Sequence, residues 1–303
     1  MSKKLLALAV AAAVAAPVSA TYAASGVYFS LRDQLSIADN GTKTSSKVKN
    51  AGSRIGAKMT EDLGNGLKGF ARYEIKIDTA TSGGVTGGRL GYVGIKGAFG
   101  SVSLGQQWGP YYNALGDFDV YNASGAEFYQ GPFRLSNSLV YTAPSSDMFS
   151  GQIALVMNGY DATVANDQTG VDQVHVGAKF SFGPATLGLG YISDQVNSNN
   201  DLVGATLALA FGNATLFFNG ESKQQAVGSD IKTYHVVGQF KSGKTRFRAG
   251  FSTNDNTNDD AFQLGVEHKL TGTFRVWAEY ENQSPNVGPS TSAISLGMRK
   301  DWK

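Results

Sequence analysis

From Val27 to Ile37 apolar and polar side chains alternate. Val27, Phe29, Leu31, Leu35 and Ile37 fall on one face and Tyr28, Ser30, Arg32, Gln34 and Ser36 on the other, with Asp33 the misfit. A period of two predicts a β-strand. The pattern returns along the chain: Ser53–Asp62 opposes Ile55, Ala57 and Met59 to Arg54, Lys58 and Thr60. Leu67–Asp78 sets Leu67, Ala71, Tyr73, Ile75 and Ile77 against Lys68, Arg72, Glu74, Lys76 and Asp78, and Thr245–Ser252 sets Phe247, Ala249 and Phe251 against Arg246 and Arg248. Read to Trp302, the alternation predicts sixteen strands in eight hairpins. Short turns such as Leu63-Gly64-Asn65-Gly66, Gly183-Pro184, Gly212-Asn213 and Thr271-Gly272 alternate with longer polar loops at 39–50, 79–87, 161–172, 194–200, 224–230, 254–260 and 284–291.

One interval breaks the rhythm. Trp108 to Phe133, WGPYYNALGDFDVYNASGAEFYQGPF, lacks strand alternation, and a loop of that length in an ordered domain is usually functional. It carries the acids Asp117, Asp119 and Glu127 among aromatics and glycines, while Arg72, Arg89 and Arg134 fall on the strands to either side. The spacing predicts a loop folded into a barrel, presenting acids to a basic wall.

The polar faces decide which side of the sheet meets water. A soluble sandwich packs its apolar faces inward, and a barrel in lipid turns them outward. Alternation is the same in both, so other features choose. Met1 to about Ala23 has Lys3 and Lys4, an apolar run from Leu5 to Ala16, Pro17 and then small residues, the form of a removable secretory leader cleaved between 20 and 24. The run is too short to anchor in a bilayer. Aromatic residues stand near strand ends at Tyr28, Phe29, Tyr73, Tyr141, Tyr160, Tyr191, Tyr234, Tyr280 and Trp302, where membrane barrels carry girdles. Segregated loop lengths and export complete the case for an all-β fold over 24–303, a transmembrane antiparallel β-barrel of sixteen strands around a water-filled lumen. Arg32, Arg54, Glu74, Lys76, Arg246 and Arg248 are then further lumen-lining residues.

Composition narrows the function. The chain of 303 residues has no cysteine, 38 glycines and 17% charged residues, so an exported protein of this kind relies on hydrogen-bonded architecture and not on disulfides. Removing Lys3 and Lys4 leaves 24 basic against 24 acidic residues, which gives no net field for nucleic acid. Gly64-x-Gly66-x-x-Gly69 fits a dinucleotide fingerprint but runs into strand alternation and not a helix, so it reads as a turn. His175, His235 and His268 lie on separate strands without metal-ligand spacing, Asn254–Asp260 lacks the glycine and glutamate of a calcium loop, and no nucleophile elbow occurs. No cofactor, resident metal or enzymatic activity is expected.

Four segments carry a resemblance: Ser53-Arg54-Ile55-Gly56 with Glu61–Lys68, Arg89–Gly97 with Phe99–Gly105, and Arg134–Tyr141. In this order they resemble the Gram-negative general diffusion porins over essentially the whole mature chain. The resemblance implies a homotrimer in the outer membrane, surrounded by lipid and lipopolysaccharide and assembled by the barrel machinery through its C-terminal strand. It further implies that small hydrophilic solutes and ions diffuse passively through each pore, with a solute-preferring channel as the alternative. By the same resemblance the third long loop narrows the pore, Asp117, Asp119 and Glu127 are its acids, and Arg72, Arg89 and Arg134 its basic wall. Two positions depart from the family pattern. Gly105-Gln106-Gln107 stands where many members have Gly-Arg, and Trp302 is followed by Lys303 where an aromatic residue usually ends the chain. Balanced charge and the missing arginine predict weak ion selectivity.

Overall fold

Seventeen strands form one antiparallel sheet that closes on itself. The computed structural model describes residues 21–161, 163, 170–197 and 199–302, so the leader expected over Met1–Ala23 falls outside them up to residue 20. The strands are β1 (Thr21–Asp39), β2 (Thr44–Asn50), β3 (Arg54–Gly64), β4 (Leu67–Ile77), β5 (Val85–Gly97), β6 (Gly100–Trp108), β7 (Arg134–Thr142), β8 (Phe149–Val156) and β9 (Gln173–Phe182). After them come β10 (Ala185–Asp194), β11 (Leu202–Phe211), β12 (Ala214–Lys223), β13 (Ile231–Ser242), β14 (Thr245–Asn254), β15 (Asp259–Lys269), β16 (Phe274–Ser284) and β17 (Thr291–Trp302).

From β3 to β17 each strand pairs with the next, and β1 closes the ring by pairing with β17 from Phe29 to Asp39 and with β3 from Thr21 to Ser30. The ring has sixteen strands, as the alternation predicts, and β2 is an addition to it. Sequence reading places 39–50 in a loop, yet Thr44–Asn50 pairs with Asp33–Asp39 of β1. The polar run hides a strand because little of it is packed: Thr44 to Lys49 are all exposed. Between β2 and β3 the chain breaks at Gly52, whose φ of 94° suits glycine, and the buried Ser53 fills the break. Its hydroxyl accepts from the Arg32 amide and meets Thr79 Oγ1, which donates to Asp33. The misfit of the first strand is therefore the acceptor that ties this break to the β4–β5 loop.

The two sheet faces are inverted relative to a soluble protein. Large apolar side chains point outward and stay exposed, as at Val93 (60%) and Leu104 (55%), whereas Glu74 and Glu267 on the inner face are each 2% exposed. A soluble domain does not leave an apolar band around its whole circumference. Hydrocarbon requires one, and a closed ring leaves no unpaired edge inside it. Most of the aromatic residues expected at strand ends point outward. Tyr28 is the exception, because it lies over Gly56 on the lumen side and donates to Glu74 at 2.6 Å.

Connections at one end of the barrel are tight. Asn65 and Gly66 both have positive φ, the two-residue geometry that matches strand twist. The loops at the other end are longer. A charge placed mid-wall on the outer face should be costly: Leu264→Arg on β15 is expected to destabilise the folded barrel by about 2–4 kcal/mol in urea titrations from lipid vesicles. Lys58→Gln on the lumen side of β3 should change it by less than about 0.5 kcal/mol.

Candidate functional site

The segment between β6 and β7 turns into the barrel. Its neck is closed by the Gly109 amide donating to the Phe133 carbonyl at 3.0 Å. Pro110 then starts a short helix, α1 (Pro110–Leu115), at the position where a fixed φ and a missing N–H cost nothing. A 3-10 turn over Gly116–Phe118 follows.

What receives the helix is a row of missing side chains. Gly177, Gly190 and Gly204 stand directly opposite one another on β9, β10 and β11. A Cβ at Gly177 would lie 2.0 Å from the Pro110 carbonyl oxygen, and one at Gly188 would lie 2.1 Å from that of Ala114. The wall is thus hollowed where α1 lies, and Tyr111, Ala114 and Leu115 bury their side chains there with Ile192 and Leu202.

Two buried carboxylates fix the loop in polar terms. Glu221 of β12 accepts from Tyr111 Oη at 2.8 Å and from the Gln130 amide at 3.2 Å. Glu279 of β16 accepts from the amides of Asn122 (2.8 Å) and Ala123 (2.6 Å) and pairs with Arg248 at 3.3 Å. Thr206 Oγ1 donates to the Leu115 carbonyl at 2.8 Å, and Gln263 Nε2 to that of Gly125 at 3.0 Å. All these contacts lie on β9–β16, so the loop is fastened along one side of the lumen.

The opposite side is basic. Arg72 and Arg89 share Glu74, at 3.1 Å and 2.6 Å, and Arg72 Nε donates to Tyr28 Oη at 3.0 Å. Arg134 lies over the Trp108 ring, 4.9 Å from its centroid, while Tyr112 stacks on Trp108 at 5.0 Å. Arg32 stands opposite Arg299 in the β1–β17 register, and Arg54 opposite Lys76 in the β3–β4 register. Toward the short-turn end, Arg54, Arg72, Glu74, Arg275, Arg299 and Trp108 line a lumen cavity of about 700 Å³.

The loop acids are placed separately. Asp117 accepts from Lys179 Nζ at 2.7 Å. Asp119 accepts from Tyr112 Oη at 2.9 Å, and burial holds its carboxyl above the usual range. Glu127 accepts from Gln283 Nε2 at 2.9 Å on β16. Among the described residues no ion pair joins these three acids to Arg72, Arg89 or Arg134. Arg246 and Arg248, together with Arg275, surround Glu267 on the wall behind the loop, at 3.9 Å, 3.2 Å and 3.5 Å. Gln106, at the position of the missing family arginine, donates to the Arg89 carbonyl at 3.2 Å. Sequence reasoning missed Glu221, Glu279, Glu267, Lys179 and Tyr111. The available signal was a carboxylate on the polar face of β12, β15 or β16.

Closing the glycine seat should free the loop. Gly177→Val is expected to leave the barrel folded but to raise open-channel current noise in planar bilayers, because the helix backbone cannot yield the space. Tyr111→Phe removes the hydroxyl donor to Glu221 and should cost about 1–3 kcal/mol of stability in urea titrations, since a buried acceptor loses its partner.

A sequence profile described as Gram-negative porin matches residues 7–286. The major outer membrane protein P.IB of Neisseria meningitidis serogroup B is 33% identical over 111 residues, and that of Neisseria gonorrhoeae is 29% identical over 147. The matches cover 35% and 46% of this chain, but only 34% and 40% of those relatives. Among solved structures, an anion-selective porin from Comamonas acidovorans superposes with a TM-score of 0.76 at 19% identity, covering 92% of this chain and 99% of that one. OmpF of Salmonella typhi, in complex with daunomycin, gives 0.77 at 14% identity, covering 93% and 100%. At such identities the likeness is one of fold, and it extends over nearly all of both chains. With the profile matching far more than half its length, and with the inverted ring and internal loop described above, the chain belongs to the Gram-negative porin family.

Proposed function

We propose that the protein is an outer-membrane channel for passive diffusion of small hydrophilic solutes and ions, with a modest preference for anions. The observation that carries this reading is the division of the lumen into a fastened acidic loop and a basic wall with charge left over. Arg32, Arg54 and Arg134 have no carboxylate within ion-pair distance among the described residues, whereas of the three loop acids Asp117 is paired, Asp119 is covered by Tyr112 and Glu127, held by the neutral Gln283, lacks a cation. Balance over the whole chain is therefore not balance at the pore. Guanidinium groups along one side of a water-filled passage lower the energy of a passing anion, and the lumen stays wet because dehydrating them would be costly. The anion-selective Comamonas porin of the same fold is consistent with this preference.

In this reading Asp117, Asp119 and Glu127 place negative charge along the loop and Arg72, Arg89 and Arg134 positive charge opposite it. The passage between them carries a transverse field. The partners are two further copies of the chain in a homotrimer, lipid and lipopolysaccharide at the outward apolar face, and the barrel assembly machinery at β17, where Trp302 is exposed. An enzymatic role has little support. Ser252, His235 and Glu221 do come together, with His235 Nδ1 2.9 Å from Ser252 Oγ and Nε2 4.0 Å from Glu221, but His235 is buried beneath Phe118, where no substrate can reach.

Reversal potentials in a potassium chloride gradient test the proposal. A potential of the sign for anion preference is expected, and Arg54→Ser should reduce it; a cation-selective or unselective pore would overturn the reading. Arg134→Ala should widen the passage and shift selectivity toward cations. Liposome swelling that follows solute size alone is expected for a general channel, while a solute entering faster than its size allows would favour a solute-preferring one.

A further inference from the structure

Arg72, Arg89 and Arg134 are held in two different ways. Arg72 and Arg89 are tied to Glu74, and an ion pair acts at a distance as a dipole, so much of their field is cancelled. Arg134 is tied to a ring. It is the first residue of β7 and stands opposite Trp108, the last residue of β6, in the register of the two strands that carry the loop. Its guanidinium carbon lies 4.9 Å from the centre of the Trp108 ring, and among the described residues the group makes no hydrogen bond or ion pair. The indole in turn stacks on Tyr112 of α1, with 5.0 Å between ring centres and 19° between planes. Tyr112 is itself enclosed. The rings of Phe133 and Tyr129 lie 4.8 Å and 5.9 Å from it, and its hydroxyl donates to Asp119 at 2.9 Å. The series Tyr112, Trp108, Arg134 therefore runs from the packed loop helix to a charge in the lumen.

A long cationic side chain left free in water occupies many rotamers, and its charge is spread over all of them. A carboxylate restrains it at the cost of its field. A flat ring restrains it and leaves the charge whole, because a guanidinium is planar and weakly hydrated and stacks with its N–H groups free around the rim. We propose that Trp108 is a positioning residue for ion selectivity: its ring, backed by Tyr112, holds the Arg134 guanidinium as an unneutralised charge at the passage. This role rests on the anion preference proposed above and deepens it, since the way an arginine is held counts as well as the number of arginines. Without the ring, Arg134 is spread between the pull of Glu74 and the repulsion of Arg89, and its field at the passage weakens although no charge has left the protein. Because Tyr112 belongs to α1, the seat of the loop and the place of this charge form one mechanical unit.

Chloride-to-potassium permeability ratios, taken from reversal potentials in planar bilayers, test the assignment in a double-mutant cycle of Trp108→Leu and Arg134→Ala. Trp108→Leu removes no charge, yet it is expected to lower the ratio by at least about half of the change that Arg134→Ala causes, and to change nothing further once Arg134 is replaced. Trp108→Phe, which keeps an aromatic face, should hold the ratio near that of the parent protein. A ratio unchanged by Trp108→Leu overturns the proposal. So does an equal shift with and without Arg134, the result expected if the indole merely steadies the neck of the loop, and so does a loss in Trp108→Phe as large as in Trp108→Leu. Heat-modifiable gel mobility confirms that each variant has formed a barrel, and Trp108→Met takes the place of the leucine variant if that one does not fold. The cycle compares variants with the parent, so it reads the role of the indole whatever the parent's own sign. A cation-selective parent in which Trp108→Leu still lowers the ratio refutes the anion preference alone.

Discussion

A backbone amide placed in hydrocarbon has no water to bond, and the architecture of this protein follows from that constraint. A sheet can satisfy it only by closing, so every strand of the ring has a neighbour on both sides, including β1, which meets β17 along one edge and β3 and β2 along the other. Closure in lipid then assigns the faces. Outward positions must be apolar and inward positions can be charged, which explains why Leu104 and Val93 are exposed while Glu267 and Arg248 are covered.

A wet interior creates the next difficulty, because a loop inside it competes with water for every hydrogen bond. Fixing a residue in one backbone conformation costs about 1–2 kcal/mol, and contacts in water recover little of that. The protein meets the difficulty by excluding water locally. The glycine row at Gly177, Gly190 and Gly204 lets the α1 backbone approach the wall closely, and Glu221 and Glu279 accept several donors in sites shielded by the loop itself. Fastening the loop to β9–β16 also leaves the arginines of β1, β3 and β7 open to the passage. The means of attachment and the electrostatic character of the lumen are one arrangement.

The fold was largely legible in the sequence because its signal is repeated. Sixteen ring strands state the same alternation, and errors at single positions do not disturb the count. β2 was illegible for the converse reason: Thr44–Asn50 has too little apolar surface to alternate, and it pairs through its backbone to β1. The loop announced itself by breaking the period. Its charges gave no sign of their partners, since Asp117 meets a lysine of β9 and Glu127 a glutamine of β16, contacts that separate residues by 62 and 156 positions. Tyr28 misled in another way. As an aromatic residue near a strand end it suggested the lipid interface, but Gly56 opposite it leaves room for the ring on the inner face.

The break at Ala51–Ser53 separates two tasks along one edge of β1. Its first half is sealed by β3, a member of the ring, whereas its second half is covered by β2, which has no other strand partner among the described residues. Material inserted between residues 40 and 53 would therefore lengthen a flap at the rim without shifting the register of any ring strand. This corner of the mouth is where the protein could change what it presents to the outside world while leaving its membrane wall intact.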